Sequence, residues 1–306
     1  MTNFAAAALL LSAVAGFSQP AAPVKFSLAD AQAARKEIMK DREETRSWLK
    51  SDPGSYLAAI RRVDFGGKSE LSVGSAEGND VRLDGVSSRH LKIVVKGDQF
   101  EVAAVDPGAA FSVGASTAAP AVRSAALAPG AIRVGRYTLK LSHQGYPAII
   151  VFDPKSPRFK EYHGVPYFPI DLSYRYAVKL VPDAKPEIVL IASSHSGARR
   201  ATRVGWFEFL AGGKLCRLAA YHLEEPGVDP EALIVFFRDA TTGKQTYAVG
   251  RYADPEKQAG GSYLLDFNTA YSPACAFSSF YNCPIPPREN TLSVAIKAGQ
   301  QDPHYH

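Results

Sequence analysis

The first pattern along the chain is an apolar block without a period. Phe4–Phe17 is almost uniformly small and apolar, with Gly16 and Ser18 at the −3 and −1 positions of a cleavage site. The block is shorter than the ~20 residues a bilayer-spanning helix needs. Residues 1–18 therefore read as a signal peptide, which places the protein outside the cytoplasm, in a periplasm or an extracellular space. No later stretch is long and apolar enough to cross a membrane, so no transmembrane segment is expected in the mature chain.

A helical period follows. Ser27-Leu28-Ala29-Asp30 resembles a capping box, and Leu28–Lys50 is rich in Ala, Glu, Lys and Arg without Gly or Pro. Ala31, Ala34, Ile38, Thr45, Trp48 and Leu49 form a narrow stripe, which predicts a surface helix with one buried edge. Asp52-Pro53-Gly54 stops it.

Beyond residue 55 the period changes to that of strands. Short β-rich runs recur at about 8–15 residues with Gly, Asp and Asn between them. In the first half they are Leu71–Val73, Val81–Leu83, Leu91–Val95, Phe100–Val105, Ile132–Val134, Tyr137–Leu141 and Ala148–Phe152. The second half carries Tyr176–Leu180, Ile188–Ile191, Val204–Leu210, Leu215–Tyr221, Ala232–Phe237, Thr246–Val249, Tyr263–Phe267 and Thr291–Ile296. No helix-length segments alternate with them, which argues against a doubly wound sheet. The expected architecture is mainly β: an N-terminal helix, a small β-sandwich, then a larger antiparallel β-barrel or sandwich. The Gln144-Gly145-Tyr146-Pro147 break divides the two β units. The expected organisation is a signal peptide over 1–18, helix and linker over 19–55, a first β domain over 56–144, a second over 145–300, and a disordered tail over 301–306.

Composition changes this picture little. The 306 residues include 46% hydrophobic and 21% charged, ordinary for a chain that buries a core. The net charge of +5 is too small to point to nucleic acid. Three cysteines matter more, because export permits disulfides. Cys275 and Cys283 are close in sequence and flanked by prolines, making them a disulfide candidate or two buried thiols. Cys216 sits in an apolar run and reads as core. No CxxC or HxxxH spacing accompanies them, so no metal site is assigned. There is no P-loop, no GxGxxG, and no GxSxG elbow around Ser193–Arg200. The cofactor, if any, stays unknown.

Val73-Gly74-Ser75, Asn79-Asp80-Val81-Arg82-Leu83 and Ser87-Ser88-Arg89-His90-Leu91 stand in the order and spacing of a forkhead-associated domain, which residues 71–141 resemble. In that family an arginine and the first serine of Ser-x-x-His grip phosphothreonine, a dianion suited to a guanidinium and a hydroxyl. The arginine position is Ser75 here, so a phosphopeptide partner is not expected. Ser87 and His90 are then turn-fixing residues.

A second resemblance rests on later motifs. They are Phe168-Pro169-Ile170-Asp171, Phe237-Arg238-Asp239, Gly250-Arg251-Tyr252, Leu265-Asp266-Phe267-Asn268, Tyr271-Ser272-Pro273-Ala274-Cys275 and Asn282-Cys283-Pro284-Ile285-Pro286-Pro287. From about Leu28 to Gly299 the chain is similar to the bacterial and archaeal domain of unknown function numbered 1684. The resemblance implies no reaction.

The stretch from Arg238 to Asn290 is denser in polar and aromatic residues than a plain β core requires. Arg238 and Arg251 are suited to a carboxylate or phosphate. Asp239 and Asp266 would orient them or act as base, Tyr247 and Tyr271 offer hydroxyls and ring faces, and Asn268 and Asn290 offer amides. Three readings remain open for these residues: structural clamps, a ligand site, or a catalytic one. The leading functional expectation is a small polar or anionic ligand in the second β domain. The alternatives are a periplasmic hydrolase, with Asp266 or His163 as base and Arg251 stabilising charge, and a structural or protein-interaction module. The sequence does not decide whether the protein is an enzyme, and catalytic residues stay unassigned.

Overall fold

The computed structural model describes residues 20–195, 197–225, 228, 229 and 231–305. The segment read as a signal peptide lies outside the described residues. Among the described residues no helix is long and apolar enough to cross a membrane.

Helix α1 (Leu28–Ser51) starts where Ser27 Oγ accepts the Asp30 N–H at 3.2 Å. It ends at Asp52, which turns to extended backbone. Its buried edge is Ala34, Ile38, Arg42 and Leu49. Arg42 is the unexpected member. Its guanidinium donates to Phe168 O at 3.0 Å and Asn268 O at 3.2 Å, and lies 4.5 Å from the Tyr167 ring centre. The helix is thereby tied to loops near residues 168 and 268.

The first β unit has eleven strands: β1 (Ala59–Asp64), β2 (Glu70–Gly74), β3 (Val81–Arg82), β4 (Leu91–Lys96), β5 (Gln99–Ala104), β6 (Phe111–Val113), β7 (Ala121–Val122), β8 (Ser124–Leu127), β9 (Gly130–Val134), β10 (Tyr137–His143) and β11 (Pro147–Phe152). They form one sheet in the order β1-β11-β10-β9-β6-β7 and another in the order β3-β2-β4-β5-β8. Leu71, Val73, Ile93, Phe100, Leu139, Leu141, Ile149 and Val151 share the core. Alternation of apolar and polar residues in β4 and β5 reflects one buried face.

In β11 the alternation fails, because both faces are covered. Ile149 and Val151 enter the first core, whereas Ile150 and Phe152 join Cys275, Tyr281 and Cys283 from the second unit. This corrects the expected division at residues 144 and 145. That break is the turn of the β10–β11 hairpin, and β11 belongs to the first unit.

The second unit is built on β12 (Arg175–Ala192), β13 (Ala198–Ala211), β14 (Lys214–Leu223), β15 (Val235–Phe237), β16 (Arg251–Ala253), β17 (Glu256–Lys257) and β18 (Ser262–Asp266). One antiparallel sheet runs β14-β13-β12-β18-β17, and β15 pairs with β16. Among the described residues the five-stranded sheet does not close, so the barrel alternative is corrected to an open sheet. The runs at Tyr176–Leu180 and Ile188–Ile191 are one strand, which passes Pro182 by a register shift before Glu187. Gly205 makes this possible. A Cβ there would stand 2.4 Å from Val181 O, and its φ is +157°.

Two expected strands are irregular instead. Thr246–Val249 is a turn, and Thr291–Ile296 buries Leu292, Val294 and Ile296 in alternation, paired to residues 238–240 by an isolated parallel bridge at Thr291 and a few backbone bonds. The tail expected to be disordered is docked as far as Tyr305. Gln301 N–H donates to Pro166 O at 2.9 Å, and the Tyr305 ring stacks on His163 with centres 4.2 Å apart.

Candidate functional site

Most of the residues singled out in the sequence are internal clamps. The Arg251 and Asp239 side chains have no exposed surface and meet at 3.4 Å. Arg251 also donates to Ile296 O at 2.8 Å, to Gln300 O at 3.3 Å and to Ala298 O. Burial lowers its pKa to about 10, with Asp239 opposing the shift. Asp239 accepts from Thr241 Oγ1, Thr242 Oγ1 and the Ile296 N–H, the last at 2.6 Å. These bonds pin residues 291–300 onto the β15–β16 ribbon.

The asparagines do similar work. Asn290 takes the Ala219 N–H at 2.7 Å and donates to Ala219 O and Phe236 O, joining β14 to β15. Asn268 exchanges two bonds of 2.9 Å with the Asp171 backbone. Arg238 donates to Val249 O, and Tyr247 Oη donates to Cys275 O. Arg251, Asp239, Asn268 and Asn290 are closed to a ligand by burial. Anion binding by Arg251 therefore has no geometric support, and Arg238 is half-buried with its Nε on Val249 O.

Asp266 and Tyr271 have different surroundings. Both border a cleft between α1 and the end of β18. Its first cavity, about 140 Å³, is walled by Glu37, Asp41, Asp254, Glu256 and Asp266 together with Arg175. The second, about 160 Å³, is walled by Trp48, Tyr56, Tyr167, Tyr271, Phe277 and Ser272 among others. Asp41 and Thr269 line both. On α1, Glu37, Asp41, Thr45 and Trp48 are spaced by four, four and three residues, so one helix face supplies both halves. That stripe was present in the sequence beside the buried one. Only its opposing wall, most of it more than 200 positions away, gives it meaning.

The charges in the cleft are unbalanced. Arg175 pairs with Glu37 at 3.2 Å and with Asp266 at 3.4 Å. Burial raises the Asp266 pKa, against hydrogen bonds from Asn268 and the Arg175 charge. Asp41 is raised by loss of hydration and then by Glu44. Asp254, at the solvent edge, is raised by loss of hydration around its carboxyl and accepts from Tyr271 Oη at 3.2 Å. Burial and the neighbouring Asp254 carboxylate push the Tyr271 phenol well up. Ser272 is 1% exposed, and among the described residues its Oγ has no hydrogen-bond partner.

The remaining candidates lie elsewhere. His163 bonds to Glu161 O and Pro303 O through its two ring nitrogens, away from Arg251 and the cleft. His90 takes the Ser87 N–H at 3.2 Å and bonds to Ala110 O, fixing a turn. Cys275, Cys283 and Cys216 are buried free thiols. The Cys275 N–H donates to Cys283 Sγ at 3.2 Å, at the contact between the two β units. Among the described residues no three of His, Cys, Asp and Glu converge to hold a metal ion.

Residues 160–301 match the family described as "Protein of unknown function (DUF1684)". This is a shorter span than the sequence resemblance suggested. It holds the sheet side of the cleft but neither α1 nor the first β unit. The solution NMR structure of an uncharacterized protein of Haloarcula marismortui is 34% identical, with a TM-score of 0.40, and the match covers 50% of this chain and 85% of that one. No curated protein matches the chain.

Proposed function

We propose, from the match of residues 160–301 to the DUF1684 family and from the geometry above, that the chain is a small-molecule-binding protein whose site is the cleft under α1. The observation that carries this reading is the junction at Asp41 and Thr269, where a charged cavity and an aromatic one share walls. Concave sites with apolar walls and a few convergent polar groups are where small ligands are held. The buried Arg251 set supports the fold beneath the cleft. A hydrolase with Asp266 or His163 as base and Arg251 stabilising charge is less favoured: Asp266 lines the cleft, but His163 is bonded away from it and Arg251 is sealed.

The first β unit has six- and five-stranded sheets, which support its likeness to a forkhead-associated domain. With Ser75 in the arginine position, its role on this reading is structural or protein-contacting without phosphate.

The test is a thermal-shift panel of amines, carboxylates, phosphates and neutral sugars on the full chain and on Thr45→Arg. Thr45 lines the aromatic cavity from α1, so the longer side chain fills it. One chemical class should raise Tm in the parent and not in the variant. A silent panel, or a shift that survives the substitution, removes the cleft as the site.

A further inference from the structure

We propose that the cleft under α1 takes an arylalkylamine, with its ammonium group among the carboxylates and its ring in the aromatic cavity. This rests on the reading of the cleft as a ligand site and adds the class of ligand.

Charge gives the first argument. Five carboxylates face one guanidinium in the first cavity. Arg175 is engaged by Glu37 and Asp266, whereas Asp41, Asp254 and Glu256 form no ion pair among the described residues. Arg42, on the same buried edge of α1 as Ile38 and Leu49, eases the charge on Asp41 but is itself turned to the Phe168 and Asn268 carbonyls, and with Arg46 it lies over the Tyr167 ring. Loss of hydration raises both Asp41 and Asp254, with Glu44 adding to the first, and a bound cation would favour their charged forms. An anion would disfavour them. A bare metal ion would need several donors at one point, and among the described residues no three converge.

The second cavity specifies the rest of the molecule. About 160 Å³ is the scale of an apolar cavity that accepts a benzene ring, ~150 Å³. Its walls offer edges and faces: Trp48 and Tyr56 lie 4.8 Å apart at 86°, and Tyr56 and Phe277 5.5 Å apart at 34°. Tyr271 joins the halves, with its ring in the aromatic wall and its Oη on Asp254.

Ser272 gives an independent observation. A hydroxyl without a partner is costly when buried. Ser272 Oγ is buried and, among the described residues, without a partner, and the residue belongs to the wall of the aromatic cavity. A polar substituent on the ligand's ring, such as a phenol hydroxyl, would complete it.

The test is calorimetric titration of the full chain with three isosteres: tyramine (cationic), 4-ethylphenol (neutral) and 3-(4-hydroxyphenyl)propionate (anionic). Tyramine should bind at least about tenfold tighter than 4-ethylphenol, and the propionate weakest. Asp41→Asn, at an exposed helix position, should reduce the tyramine advantage without altering 4-ethylphenol binding. Ser272→Ala should weaken tyramine and leave phenethylamine, which lacks the hydroxyl, unchanged. Equal affinity for the three isosteres, or preference for the anion, overturns the amine class and leaves the cleft standing. A tyramine preference unchanged in the Asp41→Asn/Asp254→Asn double variant also overturns it. If no isostere binds and the wider panel is silent as well, the cleft falls with it.

Discussion

Arg251 and Asp239 meet at 3.4 Å with neither side chain exposed, and the same guanidinium reaches three carbonyls of residues 296–300. The arginine best placed in the sequence to grip an anion instead holds the chain's last segment on its core. Removing one member of a buried ion pair leaves the other charged and unpaired. Arg251→Met should therefore cost about 3–5 kcal/mol in urea unfolding. Native stability with selective loss of ligand binding would return Arg251 to the site.

Asn290 makes three buried bonds that join β14 to β15. Asn290→Leu leaves the Ala219 N–H and two carbonyls without that partner, each worth about 1–3 kcal/mol when buried and unsatisfied. The expected result is a loss above about 2 kcal/mol in the same experiment. Ligand affinity of the molecules that remain folded should not change.

The raised carboxylates of the cleft give a pH dependence of definite sign. A carboxyl whose folded pKa lies above its unfolded value binds protons more tightly when folded. Its destabilising effect is absent below the ordinary value of 3.8 and complete above the folded value. Asp254→Asn should accordingly raise Tm at pH 7 and leave it unchanged near pH 3. Asp80 behaves oppositely: bonds from Lys68 and Ser72 lower it to about 2. Asp80→Asn should lower Tm at pH 7, and the difference should vanish as pH falls toward 2.

Cys275 and Cys283 are free thiols with a backbone N–H of one on the sulfur of the other. Hydrogen bonding from Cys283 holds the Cys275 thiol low, whereas bonding to Cys275 and burial push Cys283 well up. We expect oxidised glutathione to close them by thiol–disulfide exchange, with loss of about 2 Da in intact mass and release of reduced glutathione. The short loop would add about 2.5 kcal/mol of stability by chain entropy. An unchanged mass after oxidation of the native protein would reject the pairing.

The parts of the fold that were legible carry local signals. Ser27 and Asp30 cap α1, and its Ala- and charge-rich run does the rest. The β character follows from alternating runs such as Leu91–Val95. What the sequence hid depends on partners far along the chain. Pro182 lies within a single strand because Gly205 opposite has no side chain to collide with Val181 O. Leu292, Val294 and Ile296 alternate like a strand but are held by Asp239 and Arg251. The cleft was half visible. Asp266 and Tyr271 stood out among the motifs and Trp48 belonged to the expected buried stripe, but Glu37 and Asp41 looked like an ordinary solvated helix face. Asp254 gave no local signal, and Ser272 stood inside a motif without being singled out.

The cleft as the ligand site is tested most directly through Trp48, one of two tryptophans in the chain and part of the aromatic wall. In a Trp206→Phe background its fluorescence reports on that cavity alone. Titration with tyramine should give a saturable change that disappears when Thr45→Arg fills the recess while far-ultraviolet circular dichroism stays native. A signal that never saturates, or one that persists in the filled variant, would contradict the account.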